Sequence, residues 1–190
     1  MRRWLSNLIR FKREDRGAMV AEFALMLPVM MILVMCGGEM GRFMLLNQKM
    51  DRAATTMADL VSQEETMTTA KMTTLFSVVT PTMTPFALGA KSTMIVSAIT
   101  LVGSTPTVKW QRTGGGTFSQ ASKIGAQGGT ATLPTGMTVA AGQTIIVAEM
   151  FYDFTTLFVP NTYTIGVIDN QTLYHRALFR PRIGALDTIS

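Results

Sequence analysis

The feature that most limits what this chain can become is the stretch at residues 10–42, RFKREDRGAMVAEFALMLPVMMILVMCGGEMGR. A basic cluster ends at Gly17, and an apolar run of 21 residues follows at 18–38 with Glu22 as its single charge. At about 1.5 Å per helical residue, that run reaches across a hydrocarbon core of about 30 Å. It exceeds the apolar region of an ordinary secretory signal, and no small-x-small cleavage site follows it. Cys36 follows the bulky Met35 and lies too deep in the run for a lipid-attachment site, so it reads as a small apolar residue of a membrane helix. Pro28 removes one backbone hydrogen bond, which membrane helices tolerate.

Charge is informative only through its placement. The formal charge is +5, but residues 1–17 hold six basic and two acidic side chains, and the other 173 residues hold 11 and 10. The body is therefore near neutral and lacks the basic stripe that nucleic acid requires, so nucleic acid is not an expected partner. The same asymmetry places residues 1–17 in the cytoplasm and the bulk of the chain on the far side of the membrane. Residues 1–10, MRRWLSNLIR, gather Trp4, Leu5, Leu8 and Ile9 on one helical face, the pattern of a helix lying on the membrane surface.

Glu22 stands out, because a carboxylate near the start of an apolar helix calls for a partner. An amine supplies one. If the chain is cut between Gly17 and Ala18, the new ammonium lies one turn from Glu22 in the same helix, or within reach of Glu22 in a neighbour staggered by about a turn. Gly17, four residues, then Glu22-Phe23 resembles the prepilin-peptidase recognition motif. The continuation GAMVAEFALMLPVMMILVMCGGEMGRFM resembles the TadE-like proteins of tight-adherence (Flp-type) pilus systems, with Leu27-Pro28, Glu39 and Arg52-Ala53-Ala54 among the matching residues. Weaker likeness returns at AEMFYDFTTLF and FRPR. The resemblance implies an inner-membrane minor pseudopilin acting in pilus assembly, with Gly17 before the cut, Ala18 as new N-terminus, Glu22 as assembly carboxylate and Phe23 completing the motif. Its implied partners are the prepilin peptidase, other pilins or pseudopilins, and the inner-membrane assembly platform. Gly37 and Gly41 form a GxxxG pair at the outer end of the span, a possible helix contact.

The helical pattern continues beyond Gly38. Phe43, Leu46, Met50, Ala53, Ala54, Met57, Leu60 and Val61 recur at spacings of three and four, predicting one helix over residues 18–62, with Met40 and Met44 counted on the same stripe. A second helix is expected over 66–80, ended by Pro81 and Pro85. Strands are expected at Ser92–Val102 and 105–112 around a Gly103-Ser104 turn, with Trp110 as a packing residue. Residues 143–154 alternate, with Ile146, Ala148, Met150, Tyr152 and Phe154 toward the core and Glu149 and Asp153 on a solvated outer face. Residues 163–168 and 172–179 read as a hairpin across Asp169-Asn170, and Arg176, Arg180 and Arg182 as solubilising charges or partners of Glu149 and Asp153. Eight glycines in 113–142 read as a surface loop, with no lysine and hydroxyl residue placed to make it a phosphate loop.

The expected architecture is α+β of the pilin-like kind, a long N-terminal helix of membrane span plus stalk packed on an antiparallel β-sheet. Its parts are a basic cytoplasmic leader (1–17), a transmembrane helix (18–38), a helical stalk (39–65) and an exported α+β domain (66–190). With one cysteine and one histidine the chain forms no internal disulfide, multi-histidine metal site or histidine triad. No cofactor and no enzymatic activity are expected. Two functions stand against each other: an assembly pseudopilin, and an uncut membrane-anchored envelope binding module that meets its ligand through the sheet and the glycine-rich loop.

Overall fold

The computed structural model describes residues 15–86, 88–157 and 170–190. Helix α1 (Asp15–Ser62) runs unbroken through Pro28 for 48 residues, about 72 Å at 1.5 Å per residue. Helix α2 (Thr69–Val79) is capped by Thr68, whose side chain accepts from Lys71 N, and passes into a 3₁₀ turn at Thr80–Met83. Strands β1 (Ser92–Val102), β2 (Thr105–Gly114), β3 (Thr144–Phe154) and β4 (Gln171–Phe179) form one antiparallel sheet in the order β2-β1-β3-β4. The expected helix on an antiparallel sheet is therefore present. The surface helix at 1–10 and the strand at 163–168 lie outside the described residues.

The stalk half of α1 lies against one face of the sheet. Leu46, Met50, Ala53, Ala54, Met57, Ala58 and Val61 are wholly buried, lying along β3 and β4, in one core with the apolar even-numbered side chains of β3, with Leu173 and Ala177 of β4, and with Met94, Val96 and Ala98 of β1. Each large apolar side chain so buried favours docking by about 1.5–3 kcal/mol over exposure. Met40 and Met44, counted on this stripe from sequence, instead point outward at 38% and 54% exposure. The reason is phase: Met44 to Met50 is six residues, which at 3.6 per turn moves Met44 well round the helix.

β2 is not in simple register with β1. The pairing slips between Ala98 and Ile99, so that Ala98 faces Trp110 and Ile99 faces Val108, with Lys109 as the extra residue. That bulge sends Trp110 into the core beneath the helices, where its indole N–H donates to Leu186 O over 2.8 Å, and Val108 to the opposite face. The β1–β2 turn uses Gly103 at φ +63°, the sign a two-residue turn with glycine first requires.

The opposite face of the sheet corrects the sequence reading. The glycine-rich stretch is a second layer of the domain, because Ile124, Ala131 and Val139 pack on Ile99, Val108, Ile145 and Val147. It is laced to the β2 edge by Val108 N to Gly129 O (3.0 Å), Gly128 N to Val108 O (2.7 Å) and Ala131 N to Pro106 O (2.8 Å). Gly116, at φ +147°, allows the approach to Ser92, since a Cβ there would meet Ser92 O at 2.1 Å.

Sheet and stalk share one direction. Contacts step up the helix from Arg42–Thr155 through Asn47–His175 to Asp59–Arg182 and Ser62–Arg182. The 24 residues from Glu39 to Ser62 rise about 35 Å, and the 11 residues of β3 span about the same.

Candidate functional site

The residues singled out by sequence fall on the first turns of α1. Gly17, Ala18, Glu22 and Phe23 are all helical and exposed. Ala18 and Glu22 are four apart and so share one face, about 6 Å along the axis. Gly37 and Gly41 stand about 30 Å further along, also four apart, and a Cβ built on either meets nothing within 4 Å. The helix thus brings Ala18 and Glu22 together and keeps the glycine pair separate, on an open face.

Every side chain from Met19 to Met35 is exposed, including Phe23 at 68% and Leu25 at 80%. The most apolar 18-residue window of the helix has a mean hydropathy of 2.3 and is entirely unburied, so the helix is long and apolar enough to cross a membrane. An apolar surface of this extent, bare on all sides, fits lipid or other helices and not water.

Where the bare segment ends, the burial begins with a charge. Glu39 is 1% exposed. Its Oε1 accepts from Arg42 Nε at 3.0 Å and Nη2 at 2.6 Å, and its Oε2 accepts from Leu157 N at 2.9 Å. Arg42 also donates to Thr155 O, and its guanidinium lies 4.7 Å from the centre of the Phe154 ring. Acid and base three apart on one helix meet naturally, and burial makes their bonds charge-assisted. The pair ties the loop after β3 to the first turn of the stalk. Burial raises the Tyr152 phenol beside it, with the Arg42 charge acting in the opposite sense. The sequence resemblance included Glu39 without giving it a task; the i, i+3 spacing to Arg42 was the available signal.

Glu149 lies at a second buried polar site, a correction to its expected place on a solvated face. It is fully buried beneath the glycine-rich layer, while Asp153 is half-buried. Lys123 N and Tyr174 Oη donate to its Oε1, each at 2.9 Å, and Ser122 Oγ donates to its Oε2. Lys123 Nζ lies 4.3 Å from the centre of the Tyr174 ring. The Tyr174 phenol is raised, first by burial and next by the Glu149 charge. With protein donors on both oxygens, this carboxylate pins the loop and is poorly placed for acid-base chemistry. Arg176 lies opposite Glu149 in the β3–β4 register, whereas Arg182 pairs with Asp59 at 2.9 Å instead of with the strand carboxylates. His175 Nε2 meets Asn47 Oδ1 at 3.0 Å. Among the described residues, no group of three or more His, Cys, Asp or Glu side chains is arranged to hold a metal ion.

Comparison with known proteins adds one finding. Residues 17–59 match the family model described as TadE-like protein, which covers the bare segment, the Glu39–Arg42 pair and most of the stalk. No curated protein and no solved structure matches the chain.

Proposed function

We propose that this chain, TadE-like over residues 17–59 and so tied to tight-adherence pilus systems, is a membrane-anchored minor pseudopilin-like subunit in pilus assembly. The observation that carries the proposal is the bare apolar half of α1 with Glu22 one turn from Ala18, continuous with a stalk already docked on its own domain. A helix so arranged has its lower half free to pack among others while its upper half carries cargo.

In this reading the leader, residues 1–17, is cytoplasmic and the C-terminal domain is periplasmic. A prepilin peptidase cuts after Gly17. Glu22 then neutralises the ammonium of Ala18, its own or that of a neighbouring subunit, inside the inner membrane or the growing pilus, where an unpaired charge is expensive. Phe23 belongs to the recognition motif, and Gly37 and Gly41 leave room for close approach of another helix. Other pilins or pseudopilins and the inner-membrane assembly platform are the partners. The protein is proposed to be no enzyme, because the one fully buried strand carboxylate among the described residues, Glu149, is already taken up by donors of the loop and of β4.

N-terminal sequencing of the protein from membrane fractions tests this directly. A product beginning at Ala18 is expected, and one beginning at Met1 favours the uncut envelope binding module. Glu22→Ala is expected to impair piliation while leaving the protein in the membrane; normal piliation in that variant refutes the assembly role. The docking of the glycine-rich stretch on the sheet weakens the binding-module reading, which needed that stretch free to reach a ligand.

A further inference from the structure

Because stalk and sheet run lengthwise together, one end of the sheet lies level with the outer end of the bare segment. Leu157 N bonds Glu39, Thr155 O bonds Arg42, and Lys91 Nζ bonds Thr155 Oγ1 at 2.6 Å. Glu39 to Arg42 lie about 2–6 Å beyond Gly38 along the helix. Headgroups add about 5–7 Å outside the hydrocarbon on each side, so these residues fall within the headgroup layer if residues 18–38 fill the core.

The side chains at this level are unsuited to water. Leu157 is 69% exposed and Leu45 40%. Pro85 and the half-buried Phe86 line, with Gly41, Arg42, Leu45 and Tyr152, an open cleft of about 380 Å³. Met40, Met44 and Leu45 carry the apolar surface of the span upward past Gly38. Lys91 is an exposed cation at the same level.

We infer that the proximal end of the C-terminal domain is seated in the headgroup layer of the bilayer its own helix crosses. Leu157 and the Pro85–Phe86 corner enter the upper acyl region, and Lys91 pairs with lipid phosphate. Continuity with the bare span and the charge match favour lipid over a second copy as the occupant. The consequence is that the domain is held to the membrane at two points, the helix and the Leu157 tip, and does not swing freely on its stalk. The inference rests on residues 18–38 spanning a bilayer.

The test uses full-length protein carrying Cys36→Ser, spin-labelled at Leu157→Cys, Leu33→Cys or Ser104→Cys, in nanodiscs of phosphatidylcholine and phosphatidylglycerol. Ser104 is in the turn at the far end of β1, about 35 Å away. Label at 33 is expected to collide with oxygen far more than with a water-soluble nickel chelate, and label at 157 to show the same preference several-fold above label at 104. If 157 behaves as 104 does while 33 reads lipid, the seat is refuted and the span stands. If 33 also reads water, the spanning segment fails and the seat with it. Protection of 157 from both reagents, with spin–spin broadening between copies, assigns the face to a second copy and overturns the proposal.

Discussion

Glu149→Ala and Glu149→Gln should differ, because the carboxylate matters for its acceptors more than for its charge. Alanine leaves three donors without a partner: Lys123 N, Tyr174 Oη and Ser122 Oγ. The two hydroxyls can rotate toward other acceptors, but the backbone N–H cannot. A buried donor left unpaired costs about 1–3 kcal/mol, so one firm loss, two partial ones and the small cavity total about 3–5 kcal/mol. Glutamine keeps the oxygen that serves Lys123 N and Tyr174 Oη and offends only at Ser122, a loss of about 1–2 kcal/mol. Against a total stability of about 5–15 kcal/mol, the alanine variant remains folded while its glycine-rich layer loosens. The full-length protein in detergent micelles would be unfolded with urea and followed by tryptophan emission, Trp110 being in the core. In parallel, trypsin would be given access to Lys123, an exposed side chain whose backbone is held by Glu149. The expected order of both midpoint loss and cleavage rate is Ala well above Gln, and Gln slightly above wild type. Equal effects of the two substitutions, or unchanged cleavage at Lys123, would refute the assignment of Glu149 as the pin of the loop.

Three further outcomes follow from other contacts. Tyr174 is held above its ordinary value of 10.0, so its contribution to stability is whole below pH 10 and drains as pH rises from there through the folded-state value; the urea midpoint of Tyr174→Phe should fall less steeply above pH 10 than that of wild type. Arg42→Ala takes the guanidinium away from the buried Glu39, which keeps the Leu157 N–H, and should destabilise by about 2–3 kcal/mol, with Glu39→Gln in the same chain restoring part of the loss in a double-mutant cycle. Gly116→Ala sets a Cβ 2.1 Å from Ser92 O at φ +147°, whereas Gly128→Ala, at φ +81°, meets open space. The first should abolish folding, and the second should shift the thermal midpoint by only a few degrees.

The long helix was legible because its two halves are written in two different patterns, continuous apolarity to Gly38 and a three-four stripe from Phe43. The β1–β2 turn was legible from Gly103-Ser104, and the helix-facing side of β3 from its alternation. The glycine-rich layer was not, since Ile124, Ala131 and Val139 occur singly among glycines and carry no period; their burial arises only when the stretch docks. A signal did exist elsewhere. Ile95, Ile99, Ile145, Val147 and Phe151 make the faces of β1 and β3 turned away from the helix apolar too, and a strand apolar on both sides is covered on both sides. Glu149 sits within that apolar face, and its neighbours argue for a lid above it. At the motif of Gly17, Ala18, Glu22 and Phe23 the helix places Ala18 and Glu22 on one face as their spacing demands.

The lengthwise packing of stalk and sheet has a mechanical consequence. A load applied along the span pulls α1 parallel to the strands it lies on, so Leu46, Met50, Met57 and Val61 must slide past the sheet together instead of detaching one after another. The Glu39–Arg42 clamp sits at the end where such a pull arrives and must yield in the same event. Resistance to such extraction is therefore a rate, set by one concerted barrier, and tension on the helix would reach the sheet before the stalk unravels.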